Sequence, residues 1–432
     1  MANKFHEIRD PLHVFIKFDS GERRVIDSTP VQRLRHIHQL AMSYLVYPGA
    51  THRRFEHSLG VMELAGRVYD VVSRPDNIYH EVVREFVPQQ QGYEYQYWRL
   101  VLRLAALCHD LGHLPFSHAA EKELLPDGWD HERLTIEIIR SDEMAPLWNN
   151  LKVEPEDIAK LAVGPAKYPD SLNPWESILS EIICGDAFGV DRMDYLLRDS
   201  KHTGVPYGGF DHYRLIDTLR ILPKPGESDE PELGVEEGGL QSAEALLWAR
   251  YFMYTQVYFH PIRRIYDIHL KDFLTAWLQG GHFPTDIDKL LEITDNEVTT
   301  AMLKSSADSN SPQHDAARRI IGREHFRLLY QRNPDDLAKN IECVDLIFEA
   351  VKKEFGPERV RRDSYSQKGR GIDFPVYTRD GRIVSSVSMS ETLKKIPVFA
   401  VDYVFIEPSA RQDALRWLGQ NRDTIIKTRE EE

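Results

Sequence analysis

Three histidines and an aspartate lie within the ten-residue segment HDLGHLPFSH at residues 109 to 118. The adjacent pair His109-Asp110 can supply two ligands to a metal ion if the rest of the chain supplies others. His57 upstream and Asp191 downstream are the candidate partners. Taken singly, His57 or Asp191 is more simply explained as a structural residue, so the prediction of a metal site depends on the combination.

Imidazole and carboxylate ligands without a thiolate suit a hard or borderline divalent ion, and Mn, Fe, Mg, Ni and Zn all remain open. Such an ion lowers the pKa of water, neutralises phosphoryl oxygens and orients attack, which is the chemistry of phosphoester hydrolysis. A structural metal site would not need the proton carriers and charges found nearby. These are Arg54, His113, His118, Glu121 and His131. For Glu121, a solvated position near a helix start is the alternative.

Composition limits the class of protein. The chain has 432 residues, 42% of them hydrophobic and 28% charged, which is typical of a globular protein with two or three domains. The net charge of -14 disfavours extended nucleic-acid binding, but a metal ion and a few arginines can make one cleft attractive to a small polyanion. The sequence shows neither an apolar signal core nor an apolar run long enough to span a membrane, so a membrane protein is not expected. The cysteines lack CxxC spacing, which argues against a disulfide framework. We expect a cytoplasmic protein.

The elements that position the candidate ligands are predicted to be mainly helical. Apolar residues at positions 61, 64, 68 and 71 predict a helix from about His57 to Val71, with His57 in its first turn. A strongly apolar helix over residues 95 to 108 is expected to end before Gly112 and to leave the His-Asp pair in the interior. Pro115 is expected to begin a further helix, on which His118 and Glu121 share a face.

The two ends of the chain differ from this helical middle. Residues 11 to 26 alternate apolar and polar around Asp-Ser-Gly, which predicts a β-hairpin. Beyond about residue 280 the chain has a Gly/Arg/Asp-rich stretch and a β-like run at 397 to 406. We therefore predict a mainly α fold, with an N-terminal β-hairpin in a helical core over residues 1-279. A smaller α+β lobe over residues 280-432 would serve oligomerisation or regulation.

The order of the four candidate ligands resembles the ligand set of the HD-domain metal-dependent phosphohydrolases. A closer resemblance, over about residues 5 to 275, is to the deoxynucleoside triphosphate (dNTP) triphosphohydrolases that include the vertebrate sterile-alpha-motif/HD restriction factor. The motifs that carry it are DSTPVQRLR at 27 to 35, YPGATHRRFEHSLG at 47 to 60, HDLGHLPFSH at 109 to 118 and DRMDYLLRD at 191 to 199. The segment RYFMYTQVYFHP at 250 to 261 is more similar to the bacterial branch.

This resemblance implies an HD-domain core that cleaves a dNTP into deoxynucleoside and inorganic triphosphate. The implied metal ligands are His57, His109, Asp110 and Asp191. Arg54 would clamp phosphate, and His118 would reach the scissile phosphoester as the general acid. A catalytic support network would be formed by His113, Glu121 and His131.

The resemblance also implies a deoxyribose pocket. Gln39, Leu40 and Tyr266 would shape it. Gln39 and Asp199 would bond the 3'-hydroxyl, while close packing would exclude a 2'-hydroxyl. Arg192 and Tyr195 would lie along the triphosphate and the sugar.

Family members can be activated by a guanine nucleotide at a subunit contact. The residues that read its base match Asp27, Gln32 and Arg35, and Arg214 matches a further basic contact. GTP or dGTP activation of a homo-oligomer, dimer or tetramer, is therefore expected. Alternatively, Asp27 and Gln32 frame a helix start and Arg35 is a surface charge.

Two departures concern the phosphate contacts. Tyr258 stands where the vertebrate enzyme has a phosphate-facing arginine, and Ile268 and His269 replace a His-Lys pair. Two other functions remain open: an HD phosphohydrolase of different specificity, such as a nucleotidase, phosphodiesterase or alarmone hydrolase, and a non-catalytic nucleotide-sensing scaffold. The proton carriers argue against the scaffold.

Overall fold

The structure, a computed structural model, describes residues 5–116, 121–224, 231–366 and 372–427, apart from the side chains of residues 121 and 122. It has the predicted mainly α fold. The helices before residue 205 are α1 (Ser20–Ile26), α2 (Thr29–Arg33), α3 (Arg54–Val72), α4 (Glu81–Phe86), α5 (Tyr93–Cys108), α6 (Glu121–Leu124), α7 (His131–Ile139), α8 (Ala145–Leu151), α9 (Pro155–Val163), α10 (Pro174–Cys184) and α11 (Val190–Thr203).

The second half of the chain adds further helices and most of the strands. Its helices are α12 (His212–Thr218), α13 (Leu240–Met253), α14 (Pro261–Trp277), α15 (Ile287–Leu291), α16 (Asp295–Ala307), α17 (His314–Ile321), α18 (Pro334–Lys339), α19 (Cys343–Phe355), α20 (Ser386–Met389) and α21 (Arg411–Ile426). The strands of the whole chain are β1 (His6–Asp10), β2 (Val14–Phe18), β3 (Leu219–Pro223), β4 (Pro231–Glu236), β5 (Arg327–Gln331), β6 (Val360–Ser366), β7 (Pro375–Tyr377), β8 (Ile383–Ser385) and β9 (Ala400–Ile406). Within the described residues, no helix combines the length and apolar character needed to cross a bilayer.

The N-terminal hairpin is present but displaced from its predicted position. β1 and β2 pair antiparallel from His6 opposite Phe18 to Asp10 opposite Val14, so the turn lies at residues 11 to 13. Asp19 is the N-cap of α1 rather than part of a hairpin turn. Its side chain accepts hydrogen bonds from the backbone N–H groups of Gly21 and Glu22, and the Glu22 carboxylate accepts one from the Asp19 N–H. This capping box makes residues 20 to 26 helical.

α3 is the central helix of the core and packs against α5, α10 and α11. Most of its side chains are buried, including the first-turn His57. Gly60 allows α11 to approach closely. A Cβ at Gly60 would lie 1.9 Å from Asp194 Oδ1 and 2.5 Å from Arg198 Nη2. The absence of a side chain at Gly60 therefore sets the distance between the helices that carry His57 and Asp191.

We expect Gly60→Ala to destabilise the protein, although alanine favours helix more than glycine does. Overpacking at this contact costs about 1–3 kcal/mol. The matched control is Gly419→Ala in α21, where an added Cβ meets no atom within 4 Å. There the better helix former should stabilise by about 0.5–1 kcal/mol. Thermal unfolding of both variants provides the comparison, and a Gly60→Ala midpoint equal to or above that of Gly419→Ala would contradict this packing.

The helix expected to begin at Pro115 is absent at that position. Phe116 has a left-handed backbone with φ of 52°, and the next described helix, α6, begins at Glu121. The Phe116 N–H donates to Asp295 Oδ1 at 2.7 Å, and Asp295 Oδ2 also contacts His38 Nδ1 at 2.6 Å. A side chain from α16 thus holds this segment in a turn, a tertiary contact that local sequence does not reveal.

The main core continues beyond the predicted domain boundary between residues 279 and 280. Phe283, Leu290 and Val298 belong to the same buried cluster as the residues of α3 and α5. Strand β7 also pairs in parallel with β4, within a sheet ordered β3-β4-β7-β8. A separate core lies around α19, α21 and the sheet ordered β5-β9-β6. The α+β lobe is therefore smaller than residues 280-432, because part of that range completes the main core.

Candidate functional site

The four predicted metal ligands converge from three helices. His57 lies in the first turn of α3, His109 and Asp110 follow the last residue of α5, and Asp191 lies in the first turn of α11. His57 Nε2 is 3.0 Å from Asp191 Oδ1 and 3.8 Å from Asp110 Oδ2. His109 Nε2 is 3.3 Å from Asp110 Oδ1 and 3.5 Å from Asp191 Oδ1. These side chains form one compact group, which we call the His-Asp cluster.

The geometry of the His-Asp cluster fits a divalent ion. Ligands bound at about 2.1 Å lie about 3 Å or slightly more from one another around the ion. His57, His109 and Asp110 each offer a ligand atom, and these atoms lie within 4.8 Å of one another. His109 Nδ1–H donates to the Ala106 carbonyl at 2.8 Å, which leaves Nε2 directed at the carboxylates of Asp110 and Asp191. Because burial is outweighed by these carboxylates, which raise the pKa of His109, a metal ion bound at Nε2 would have to replace a proton there.

Asp194, a buried carboxylate that was not among the predicted site residues, supports His57 at its second ring nitrogen, Nδ1. His57 Nδ1–H donates to Asp194 Oδ2 at 2.9 Å. Asp194 also contacts His13 at 2.8 Å and accepts from the Arg198 guanidinium at 2.7 and 2.9 Å. Arg198 in turn donates to Asp10 at 2.8 Å. A carboxylate behind a ligating histidine fixes the ring orientation and leaves Nε2 for the metal.

Charge pairing inside the cluster is strong. Burial would lower the pKa of His57, but the hydrogen bonds to Asp191 and Asp194 outweigh it and raise the pKa to about 10. Burial would raise the pKa of Asp110, yet the charges of His109 and Arg54 hold it well below its usual range. The cluster therefore retains a positive charge on His57 or accepts one from a metal, and a metal ion must compete with this proton.

Two of the predicted catalytic residues contact the His-Asp cluster, and a third stacks on one of them. Arg54 is 2% exposed and its Nη1 donates to Asp110 Oδ2. His113 Nε2 lies 3.1 Å from Asp110 Oδ1, and its ring stacks on His131 with centroids 4.2 Å apart. Burial and the Arg54 guanidinium hold the pKa of His113 well below its usual range, so this imidazole is neutral. His118 lies outside the described residues, as does the side chain of Glu121.

Asp199 is firmly held on α11 by two side chains. Its Oδ1 is 2.7 Å from His52 Nε2, and its Oδ2 accepts from the Tyr258 hydroxyl at 2.8 Å. Tyr195 meets the Tyr258 ring edge-on, with centroids 5.9 Å apart. Tyr258 is thus a support for Asp199.

The other predicted substrate residues differ in burial and in their hydrogen-bond partners. The backbone N–H of Gln39 donates to the His52 carbonyl at 3.0 Å, and its buried side-chain Oε1 has no hydrogen-bond partner among the described residues. Leu40 and Tyr266 are both buried. Arg192 is directed elsewhere, because its Nη1 donates to the Gly185 carbonyl at 2.7 Å.

Comparisons with known proteins identify two family regions in this chain. Residues 54–164 match the HD domain, and residues 210–352 match the HD associated region. A crystal structure of a hypothetical protein from Aquifex aeolicus superposes with a TM-score of 0.79 at 31% identity, covering 96% of this chain and 100% of that one. Deoxynucleoside triphosphate triphosphohydrolase SAMHD1 from Mus musculus is 30% identical over 83% of this chain and 56% of its own length. The chain belongs to the HD-domain dNTPase-like family.

The chain is also similar to an uncharacterized protein from Bacillus subtilis, which is 36% identical over 62% of this chain and 54% of its own length. This HD-domain protein spans a little over half the length of the curated relatives it matches.

The residues predicted to read an activator lie on the surface of this HD-domain protein. Arg35 Nε donates to Gln32 Oε1 at 2.8 Å, and its guanidinium lies 3.5 Å from the centre of the Phe55 ring. Asp27 is exposed at the end of α1 and pairs with Arg23 at 3.3 Å. Arg214 lies on α12 and donates to the Gly238 carbonyl at 3.2 Å. The structure thus brings Gln32 and Arg35 together.

Proposed function

We propose that this HD-domain protein is a metal-dependent dNTP triphosphohydrolase. The observation that carries the proposal is the convergence of His57, His109, Asp110 and Asp191 beside Arg54 and the His113–His131 pair. A divalent ion bound there would lower the pKa of water and neutralise phosphoryl oxygens. In the proposed reaction the oxygen of water bonds to the α-phosphorus and the bond from that phosphorus to O5' breaks.

The chain's own residues supply charge and proton carriers for this reaction. Arg54 would bind phosphate oxygens, since its guanidinium is buried and oriented by Asp110. Neutral His113, stacked on His131, would belong to the catalytic support network that relays protons. His118 would donate the proton to O5'. Arg192 and Tyr195 would approach the triphosphate and sugar after Arg192 leaves the Gly185 carbonyl.

The selectivity for a deoxyribose would come from Asp199 and Gln39. Each carboxylate oxygen can accept two hydrogen bonds, so Asp199 can bond a 3'-hydroxyl while it contacts His52 and Tyr258. Gln39 Oε1, which has no hydrogen-bond partner in the described part of the chain, would accept a hydrogen bond from the same sugar. Leu40 and Tyr266 would close the pocket against a 2'-hydroxyl.

Product identity tests the function. Each dNTP is incubated with Mn or Mg and with GTP, dGTP or no activator. Deoxynucleoside and inorganic triphosphate support the proposal. Pyrophosphate or orthophosphate would assign a different HD phosphohydrolase activity, and no turnover under every condition would favour a nucleotide-sensing scaffold.

We also propose that GTP or dGTP activates a homo-oligomer through Asp27, Gln32, Arg35 and Arg214. Arg35→Ala should weaken activation by at least about tenfold in activator concentration, because a charge-assisted hydrogen bond contributes about 1.5–3 kcal/mol. Metal content should not change. The matched control is Arg382→Ala, which removes a 71% exposed arginine elsewhere. An activation curve unchanged by Arg35→Ala would favour a surface role for this residue.

A further inference from the structure

A basic cavity lies between the end of α17 and the start of β5. It has a volume of about 420 Å³, within the size range of small-molecule sites. Four arginines line it, together with three acidic residues and a short segment after β9. The arginines are Arg318, Arg319, Arg323 and Arg327. None of the lining residues belongs to the His-Asp cluster or to the predicted substrate and activator residues.

The acidic residues do not neutralise all of these arginines. Arg318 forms an ion pair with Glu324, with contacts of 2.5 and 2.6 Å to the two carboxylate oxygens. Glu407 is held by Arg359 from outside the cavity at 2.7 Å. The third acidic residue, Asp315, lies near Arg318 and raises its pKa less than Glu324 does.

Arg323 and Arg327 have no carboxylate partner among the described residues. Arg323 donates to the Leu45 carbonyl at 3.2 Å and also interacts with the Tyr266 hydroxyl, and Arg327 contacts His325 Nε2 at 2.6 Å. These partners are uncharged, since burial and the charges of Arg327 and Arg323 lower the pKa of His325 to about 4 and burial raises the pKa of Tyr266. Two full positive charges therefore remain available in a chain whose net charge is -14.

The surroundings reinforce this positive field. Burial and the charges of Arg319 and Arg361 lower the pKa of His269 to about 3. Arg319 and Arg361 also face the Phe326 ring, at 4.8 and 5.5 Å from its centre. Asp272 is 3.9 Å from Arg319 and 3.5 Å from Arg361, so one carboxylate serves two guanidinium groups.

A purely structural role explains only part of the arrangement. Arg318 and Arg319 lie in the last turn of α17, where basic side chains stabilise the helix dipole. Arg323 and Arg327 lie beyond the helix and do not serve this purpose. Arg323 also has a left-handed backbone with φ of 57°, a costly conformation for a residue with a side chain.

We propose that this cavity binds a small oligophosphate through Arg323 and Arg327. The planar guanidinium fork matches phosphate oxygens, and charge-assisted hydrogen bonds of this type are about twice as strong as neutral ones. The ligand is either a free oligophosphate or the phosphate chain of a nucleotide. This proposal is independent of the proposed catalytic function, because binding is measured without turnover.

Calorimetric titration with inorganic triphosphate tests the site on the whole 432-residue chain treated with EDTA, so that divalent ions are absent. We expect Arg323→Ala and Arg327→Ala each to weaken binding at least about tenfold. Arg327→Gln, which keeps much of the side-chain volume, should weaken it similarly without a lower thermal midpoint. The matched control is Arg416→Ala, which removes a 76% exposed arginine on α21 and should bind like the wild type.

Competition distinguishes the two sources of the phosphate chain. If dGTP displaces triphosphate at similar or lower concentration, the site accepts nucleotides; if only triphosphate binds, it is specific for the free anion. Both results support an oligophosphate site. Wild-type affinity in both Arg327 variants, or sulfate binding as tightly as triphosphate, would overturn the proposal.

Discussion

Asp110→Asn is expected to abolish divalent-ion binding and hydrolysis together while the chain stays folded. The neutral amide is a poor metal ligand, and the cluster loses the charge that orients Arg54. The loss of several kcal/mol of transition-state stabilisation corresponds to a fall in turnover of at least about 1000-fold. Bound metal is measured by mass spectrometry beside turnover of the preferred dNTP.

Asp110→Asn keeps the size of the side chain and leaves an acceptor oxygen for Arg54. The expected cost in stability is therefore about 1–3 kcal/mol, which thermal unfolding can measure. Asp423→Asn is the matched control, because Asp423 is 83% exposed on α21. An Asp110→Asn protein with bound metal and a wild-type rate would contradict the assignment of the metal site.

Asp194→Asn should weaken both the fold and the metal site, although Asp194 is not a proposed ligand. Arg198 has no exposed side-chain surface and would keep only Asp10 as a charged partner. Breaking such a buried pair costs about 3–5 kcal/mol. His57 would also lose its orienting carboxylate, which lowers metal affinity by about 10–100-fold.

The matched control for this variant is Asp70→Asn. Asp70 forms a pair with Arg99 at 2.7 Å, but both side chains are more than 30% exposed. An exposed pair contributes about 1 kcal/mol or less, so this change should lower stability little. Metal titration of folded protein separates the effect on His57 from the effect on stability. Equal unfolding midpoints for the two variants would show that the buried network does not contribute as described.

The helices that carry the His-Asp cluster could be predicted because their signals are local. Apolar spacing located α3 and α5 within a few residues, and the order of His57, His109, Asp110 and Asp191 indicated a shared site. Asp194 lies in the same motif as Asp191, three residues later, and helical spacing alone would have placed it near the cluster. Its partners, His13 and Asp10, are remote in sequence, and no local pattern identifies them.

Long-range contacts explain what could not be predicted. Asp295 fixes the backbone at Phe116, so a proline at 115 did not start a helix. Strand β7 completes a sheet begun by β3 and β4, so a change in composition near residue 280 did not mark the edge of the core. The basic cavity likewise depends on tertiary ion pairing, which decides which of its arginines have a carboxylate partner.

Hydrolysis of a dNTP in water enriched in oxygen-18 tests the central proposal most directly. Because the oxygen of water is expected to bond to the α-phosphorus, the label should appear in inorganic triphosphate and be absent from the 5'-hydroxyl of the deoxynucleoside. The reaction should also stop when the divalent ion is removed. Label in the deoxynucleoside, or release of pyrophosphate or orthophosphate as the primary product, would contradict the account.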